Sequence, residues 1–457
     1  MIKNIVRILL IAGWYSCALQ PLYAQQDLAR LWLEVQQQYP GLQQRQVHIE
    51  ADRLRAQAVK SDALPQAKVQ AQNNYGTHQT SQGSFFPQAG FFNVNSPAAT
   101  TGASYMSSTF ASTILEYELF TFGRQQAAQE AANMRTSQSE AEKEAYALQL
   151  KKELTSRYVY YRYTESKRNW VQQHSQRLQE LHRMAAGLSK AGLKPAADSL
   201  LAYAAYEQAL ANKDLWTGNK ALAIASLQEI YGPKDLSLSR ENKLFNDRSL
   251  QAEGMITENI DEHPLLTVFS KAATYHQLVA QEQNKASRPS IKLMAGYAFR
   301  GSGISPQGNV SGSWVDGFSN HANNGLVGIG LTWNVTSSYS NKLRSQAWKQ
   351  ESEKSRLQQV ENRQAIHANL QGVKGKLQEQ EKQIGRTRLA LQHSQDAYVM
   401  YKARYKSGLL SMTELLQTSL LLEQAENNHI EALHSYWQQK TEEAWLSHDF
   451  DFLFNNL

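Results

Sequence analysis

The feature that most constrains the fold of this chain is an internal duplication. Landmarks of the first half return in the same order in the second half, displaced by 224 positions for two pairs and by 216 for the third. The pairs are Tyr39–Leu42 with His263–Leu266, Leu64–Val69 with Arg288–Leu293, and Lys190–Leu193 with Lys406–Leu409. The order is kept and only a loop has changed length. Two copies of one supersecondary unit of about 200 residues are therefore expected.

The first 24 residues are ordered like a secretory signal. Lys3 and Arg7 precede an apolar stretch of 12 residues, which is too short to span a bilayer. Cleavage after Ala24 is expected, while a rival interpretation makes Cys17, the only cysteine, a lipid-modified N-terminus. Cleavage after Ala24 leaves a mature chain without cysteine, which excludes disulfides, thiolate catalysis and cysteine-ligated zinc.

Charge and hydropathy narrow the class further. Removing residues 1–24 lowers the formal net charge from +6 to +4, which is too small on a chain of 457 residues to indicate nucleic-acid binding. No later apolar run approaches the length of a transmembrane helix. An exported chain of this kind is soluble, attached by lipid, or inserted in a membrane as β-strands.

Each repeat contains one predicted β-hairpin. Apolar and more polar residues alternate strictly over 291–299, and the same alternation follows Pro65 over 67–75. Each of these runs is followed along the chain by a second alternating run, at 327–333 and at 113–119 respectively. The length and the aromatic ends are typical of tilted membrane-spanning strands, although a half-buried hairpin in a soluble domain uses the same pattern.

The alternation assigns side chains to two faces of the hairpins. The residues predicted to face lipid are Leu293, Tyr297, Ile329 and Leu331. The residues predicted to face the water-filled barrel lumen are Glu116, Glu118 and Lys292. A shift of one residue in register would bury these charges in lipid. The connections at 77–108 and 301–324 are long and rich in Gly, Ser and Asn, as expected for loops at the outer surface of a membrane barrel.

The rest of the chain predicts unusually long helices. Ser340–Lys406 contains no proline, and its apolar residues recur every seven positions from Leu370 to Tyr405. Such a helix is about 100 Å long, and its heptads predict coiled-coil packing. The matching segment of the first repeat is Arg124–Ala186. Each long helix then reverses at a Gly-Leu turn into a second helix, predicted at 196–231 and at 411–446.

Chemistry is not predicted for this chain. Its histidines include His429 and His434 on one helix, but a spacing of five places them on different faces, and most histidines are expected to be solvated. No His-Glu-x-x-His, Gly-x-Ser-x-Gly or phosphate-binding glycine motif is present. No catalytic residue, cofactor site or metal site is therefore expected.

Two repeats supply only four membrane strands, which cannot close. The smallest single-chain barrels have eight strands, and an open edge in lipid leaves backbone groups unpaired. The chain must share its barrel with other copies, and two copies or three would both give a closed number of strands. The competing class is an exported coiled-coil scaffold or adhesion protein of the cell surface, which fits the helices equally well and the hairpins poorly.

These features together resemble the TolC-like outer-membrane factor family. The resemblance rests on the paired proline motifs, the strand ending Leu119–Arg124, and the duplicated Gly-Leu turn followed by an acidic residue and leucines. It implies a homotrimer with a twelve-stranded β-barrel in the outer membrane and a long α-helical barrel crossing the periplasm. It further implies a passive exit duct, not an enzyme, that serves tripartite efflux or type I secretion. The expected partners are a periplasmic adaptor and, indirectly, an inner-membrane transporter.

The resemblance also places the family's periplasmic tip, where the adaptor docks. The corresponding residues are Lys190, Gly192, Leu193 and Asp198 in the first repeat, and Arg404, Lys406, Gly408, Leu409 and Glu414 in the second. The acidic residues Asp198 and Glu414 fall in the first turn of the returning helices, so stabilising the helix start is an equally good account of both. The first turn departs from the second in having Leu188 in place of Arg404 and in being followed by Pro195.

The expected organisation is a signal peptide followed by two repeats. The first repeat covers 25–232, with its membrane hairpin at about 66–120 and its helical hairpin at about 122–232. A linker covers 233–262. The second repeat covers 263–457, with its membrane hairpin at about 290–336 and its helical hairpin at about 338–447.

Overall fold

The structure is a computed structural model, and it describes residues 27–78, 104–233, 238, 245, 260–305 and 309–457. The predicted signal peptide, Cys17 and most of the 77–108 connection lie outside these residues. The helices are α1 Asp27–Gln38, α2 Pro40–Ser61, α3 Arg124–Lys190, α4 Ala196–Tyr231, α5 Pro264–Lys285, α6 Ser337–Lys406, α7 Met412–Ser447 and α8 Asp451–Asn456. The strands are β1 Gln66–His78, β2 Ser104–Phe120, β3 Ser290–Ser302 and β4 Ala322–Thr332.

The duplication is repeated in the element bounds. Helices α2 and α5 both have 22 residues, and strands β1 and β3 both have 13. The later member of each pair begins and ends 224 positions after the earlier one. Helices α4 and α7 both have 36 residues and are 216 positions apart. The two repeats therefore form the same elements, which confirms the duplication.

The chain forms two compact units that cut across the repeats. One unit comprises Met1–His48, Glu140–Phe269 and Leu357–Leu457, and the other comprises Ile49–Ser139 and Ser270–Arg356. The long helices α3 and α6, of 67 and 70 residues, contribute to both units. Each unit therefore contains matching parts of both repeats.

The second unit contains one antiparallel sheet with the strand order β1-β2-β3-β4. All four strands predicted from the alternation are present, and a β-bulge interrupts the β2–β3 register between Glu118 and Phe120. Within the described residues, β1 and β4 each pair on one side only. Such unpaired edges are unfavourable in lipid, because their N–H and C=O groups have no other partner.

The first unit packs its helices along heptad seams. Along α6 the predicted positions Leu370, Leu377, Ile384, Tyr398 and Tyr405 are buried, and they join two apolar cores with residues of α3, α4 and α7. The heptad prediction is therefore confirmed. Over the described part of the chain, no helix is both long and apolar enough to span a membrane.

Candidate channel wall and helical tips

The sheet has one apolar face and one polar face. Cross-strand partners lie on the same face of an antiparallel sheet. Leu293 is opposite Ile329 on one side and Tyr117 on the other, whereas Lys292 is opposite Gly330 and Glu118. The four residues predicted to face lipid thus share one face, and the three charged residues share the other.

Large parts of the apolar face are exposed in the described part of the chain. Val69 is 78% exposed, Val327 is 79% exposed and Ile329 is 71% exposed. Leaving such a surface in water costs about 25 cal/mol for each Å². Contiguous exposed apolar surface of this kind indicates an interaction with lipid or protein.

The polar face carries paired charges. The Lys292 ammonium lies 3.3 Å from one carboxylate oxygen of Glu118. The other carboxylate oxygen of Glu118 accepts a 2.7 Å hydrogen bond from Arg124. Lys68 lies 3.7 Å from Glu116 on the neighbouring strands. All these groups remain partly exposed, so the pairs contribute little to stability. Their value lies in keeping this face hydrated.

Both helical hairpins turn through a left-handed glycine. Gly192 has φ +72° and Gly408 has φ +79°, as expected for the residue that ends a helix. The amide of Leu193 donates to Leu188 across the turn (2.9 Å), and that of Leu409 donates to Arg404 (3.0 Å). The two turns are therefore equivalent in backbone geometry.

The apolar and basic side chains of the turns point to solvent. Leu193 is 69% exposed and Leu409 is 77% exposed. Lys190, Arg404 and Lys406 are also exposed. The tips thus present leucines and cations together, a combination suited to a protein partner with an apolar pocket and acidic rim.

The two acidic residues of the tips have different roles. Glu414 forms a capping box with Ser411, whose backbone N–H donates to its carboxylate at 2.9 Å. These hydrogen bonds lower the pKa of Glu414. Helix α4, by contrast, is preceded by Pro195, which provides no side-chain cap. Asp198 instead accepts a 3.0 Å hydrogen bond from the Tyr405 hydroxyl. Capping therefore explains Glu414, whereas Asp198 connects α4 to α6.

Lys194 ties the first turn to the second. Its ammonium donates to the Leu410 carbonyl oxygen at 2.9 Å and lies 5.0 Å from the ring centre of Tyr405. Tyr405 is fully buried, and burial followed by the bond to Asp198 raises its pKa. Sequence reasoning missed Lys194 and Tyr405 as tip residues, because neither belongs to the Gly-Leu motif.

At a distance from the turns, polar and charged side chains of α3 and α7 contact one another. Lys167 is 2% exposed, and its ammonium lies 2.7 Å from Glu431 and among the rings of Tyr163, Trp170 and Trp216. A buried ammonium requires such paired and aromatic surroundings.

The expectation that most histidines are solvated is wrong for several of them. His174, His263 and His429 are buried, and His429 lies 3.1 Å from the Thr387 hydroxyl. His434 stacks on Tyr163 with ring centres 4.0 Å apart. Helix α7 packs against both α3 and α6, so opposite faces of one helix are both buried.

Stability of the helical unit is expected to fall as the solution is acidified. Burial lowers the pKa of His434 to about 4, with Glu431 opposing and Lys167 adding to the shift. Between pH 4 and 6.5 the unfolded chain binds more protons at the His434 ring than the folded chain does. The contribution of this ring to the free energy of unfolding is therefore complete above pH 6.5 and is lost as the pH falls to 4. The loss is at most about 3 kcal/mol. Denaturant titrations at several pH values will measure it.

His434→Phe keeps the stacked ring and removes the titration, so its stability should depend less on pH. His393→Phe, at an exposed position of α6, is the matched control and should keep the wild-type profile. Identical pH profiles for His434→Phe and the wild type would rule out this assignment.

Across the described ranges, no group of three or more His, Cys, Asp and Glu side chains is placed to hold a metal ion. What the two sites offer together is a wet polar surface on a sheet and a pair of solvent-facing helical turns. These are elements of a conduit and of a docking surface.

A family model described as outer membrane efflux protein matches residues 31–233 and 272–442, which is most of the chain. The protein belongs to the outer membrane efflux protein family. It is an efflux channel of the outer membrane that extends into the periplasm, and the coiled-coil scaffold is thereby set aside. The family is one of channels. Among curated protein sequences, none matches.

Solved outer-membrane channels have the same fold. CusC is 15% identical with a TM-score of 0.74 and 92% coverage of both chains. The channel OprN is 16% identical with a TM-score of 0.73, over 92% of this chain and 89% of its own. MtrE of Neisseria gonorrhoeae, solved in an open state, is 17% identical with a TM-score of 0.72, over 93% of this chain and 89% of its own. The resemblance to the TolC-like family is thus confirmed.

Proposed function

We propose that three copies of this chain form the exit duct of a tripartite efflux pump or type I secretion system. The observation that carries the proposal is the open sheet, in which β1 and β4 are edge strands with no second partner among the described residues and therefore require further strands. Three copies joined β4 to β1 give twelve strands, with Glu116, Glu118 and Lys292 lining the lumen. A periplasmic adaptor docks at the two helical turns, and the energy for transport comes from an inner-membrane transporter.

The helical unit supports the same arrangement, because its peripheral helices α4 and α6 each keep an exposed face. Helices α3 and α7 bury most of their surface, whereas α4 and α6 keep exposed faces. On α4, Leu201, Leu215 and Leu222 are 47%, 58% and 70% exposed, at heptad spacing. Small residues, among them Gly218, lie between them. This is a second coiled-coil seam that needs another helix.

A ring of copies supplies that helix. Head-to-tail contact around a rotation axis places one peripheral helix against the other, so α4 of one copy meets α6 of the next. Helix α6 has exposed Leu389 and Val399 and is basic, whereas α4 carries more acidic than basic residues. Charge and apolar surface are thus complementary.

The bond between Asp198 and Tyr405 fixes which residues of α4 and α6 lie at the same height. The two helices are antiparallel, so each step away from the turns adds one residue on α4 and removes one on α6. Gly218 and Gly385 are both twenty positions from the bond. A Cβ added at either would contact no described residue within 4 Å.

Native mass measurement in detergent is expected to give three chains.

In the Gly218→Cys, Gly385→Cys double variant, a short bifunctional thiol reagent should link different chains into a covalent trimer. Rotation about the axis preserves height, so the two thiols lie at the same level. The control pair, Gly218→Cys with Gly372→Cys, is offset by 13 residues, roughly 20 Å along the helix, and should not be linked. A stable monomer would disprove the shared barrel. A trimer without links would disprove only this helix pairing.

A further inference from the structure

The connection between β3 and β4 folds back onto the sheet. A Cβ added at Gly317 would clash with the Ser107 side-chain oxygen, and Ser107 is fully buried. The Tyr75 hydroxyl donates to the Gly312 carbonyl oxygen at 3.2 Å, and Gly301 lies against Phe318. Residues 309–320 are therefore packed against strands β1, β2 and β3.

The face that they cover is the apolar one. Ser107 is opposite Tyr75, and the same parity along β1 leads to Val69. Gly301 is opposite Thr109, and the same parity along β3 leads to Tyr297 and Leu293. The segment thus lies on the outside of the proposed barrel and not over its lumen.

The position of residues 309–320 along the strands matches the outer boundary of the membrane. Gly301 is ten residues along β3 from Ile291, where the apolar face begins. With about 3.3 Å per residue and a strand tilt of about 40°, this is a rise of about 25 Å. The apolar band of an outer-membrane barrel has this height, so the segment lies at the upper interface.

The outer surface of the segment is apolar and aromatic. Trp314, Val315 and Phe318 are 58%, 68% and 50% exposed. The one acidic side chain of the turn, Asp316, is turned inward, because it accepts a hydrogen bond from the Ser311 hydroxyl. Trp and other aromatic side chains are favoured at the boundary between headgroups and acyl chains.

Aromatic residues of the strands continue the same surface. The rings of Tyr75 and Tyr105 are stacked with centres 6.0 Å apart, and the Phe299 and His321 rings are stacked at 5.8 Å. All lie at the upper end of the sheet. The exposed trio is therefore continuous with the surface that meets lipid.

We propose that residues 314–318 form a lipid-binding wedge, which inserts Trp314, Val315 and Phe318 into the headgroup region of the outer leaflet. The wedge anchors each copy by a loop in addition to its strands. The inference rests on the proposed function, since it requires the apolar face to be the lipid-facing one.

Depth-dependent fluorescence quenching tests the wedge on the full-length trimer in lipid nanodiscs. Trp314→Cys and Phe318→Cys are each labelled with a small environment-sensitive fluorophore, and lipids carry a nitroxide at the headgroup or deep in the acyl chain. Both labels should be quenched several-fold more by the headgroup nitroxide than by the deep one. Ile329→Cys, on the strand, should show the reverse order, and Lys292→Cys should respond only to aqueous iodide. Val315→Cys replaces either loop variant if one fails to assemble.

The outcomes separate the wedge from the duct. If the loop labels respond to iodide alone while Ile329→Cys is quenched by deep nitroxide, the loop is a solvent-facing surface and the wedge is wrong, while the barrel assignment stands. If Ile329→Cys is itself inaccessible to lipid, the face assignment is wrong and the wedge falls with it.

Discussion

Leu293→Arg should destabilise each chain by about 1 to 2 kcal/mol, because a lipid-facing cation costs about 2 to 4 kcal/mol at the bilayer midplane and about 0 to 1 near the interface, and Leu293 lies between the two. Leu293 lies between Ile329 and Tyr117 on the apolar face of the sheet. A trimer would carry three such guanidinium groups on its lipid face. Denaturant titration of the protein folded in lipid vesicles measures the free energy of unfolding.

The neighbouring position provides the matched control. Met294 points to the polar face, opposite Glu116, and is 37% exposed. Met294→Arg should change stability by less than about 1 kcal/mol, because the added cation meets water and a carboxylate. Cysteines placed at 292 and 293 should likewise differ, with only position 292 reacting readily with a water-soluble reagent. Equal destabilisation by both arginines, or equal labelling, would contradict the assignment of faces.

The sheet and the helical hairpins could be predicted because their signals are local. Alternation with period two decides which side of a strand a residue occupies, so the faces of Lys292 and Leu293 followed once the hairpins were recognised. The heptads of α6 and the glycine turns are also properties of short segments. The duplication strengthened each prediction, because a pattern such as the one ending at Tyr75 appears again at Phe299.

Contacts between distant segments could not be predicted in the same way. The partner of Asp198 is Tyr405, more than two hundred positions away, and Lys194 reaches a carbonyl of the other repeat. A carboxylate in the first turn of a helix looks like a cap in the sequence, and for Glu414 this is correct. The burial of His429 and His434 depends on two further helices, which helical periodicity alone does not reveal.

Replacing Gly408 by Val should abolish export while leaving the trimer intact. Gly408 has φ +79°, and a residue with a Cβ pays about 1 to 2 kcal/mol for this conformation. A Cβ there meets nothing within 4 Å, so the substitution strains the turn without a clash elsewhere. The change lies outside the membrane strands and beyond Tyr405, the last heptad position. Trimers should therefore reach the outer membrane but fail to copurify with the periplasmic adaptor.

Gly372→Val is the matched control for this variant. Gly372 lies within helix α6, has open space around it and has an ordinary helical backbone. A valine there adds no left-handed strain, and its helix propensity is no lower than that of glycine. Export and adaptor binding should be close to wild type. Loss of export in this control would show that any valine in α6 is harmful, and the turn would then have no special role.

The two turns are not expected to contribute equally. Pro195, with φ −62°, holds the start of α4 in a fixed conformation, and Lys194 attaches the first turn to Leu410. Gly192→Val should therefore displace the first turn less than Gly408→Val displaces the second, and export should fall only partly. The double variant should export nothing, because both leucine-bearing turns are then displaced from the adaptor. Normal export by the double variant, in a strain that has no other exit duct, would show that the turns are ordinary helix ends and that docking takes place elsewhere.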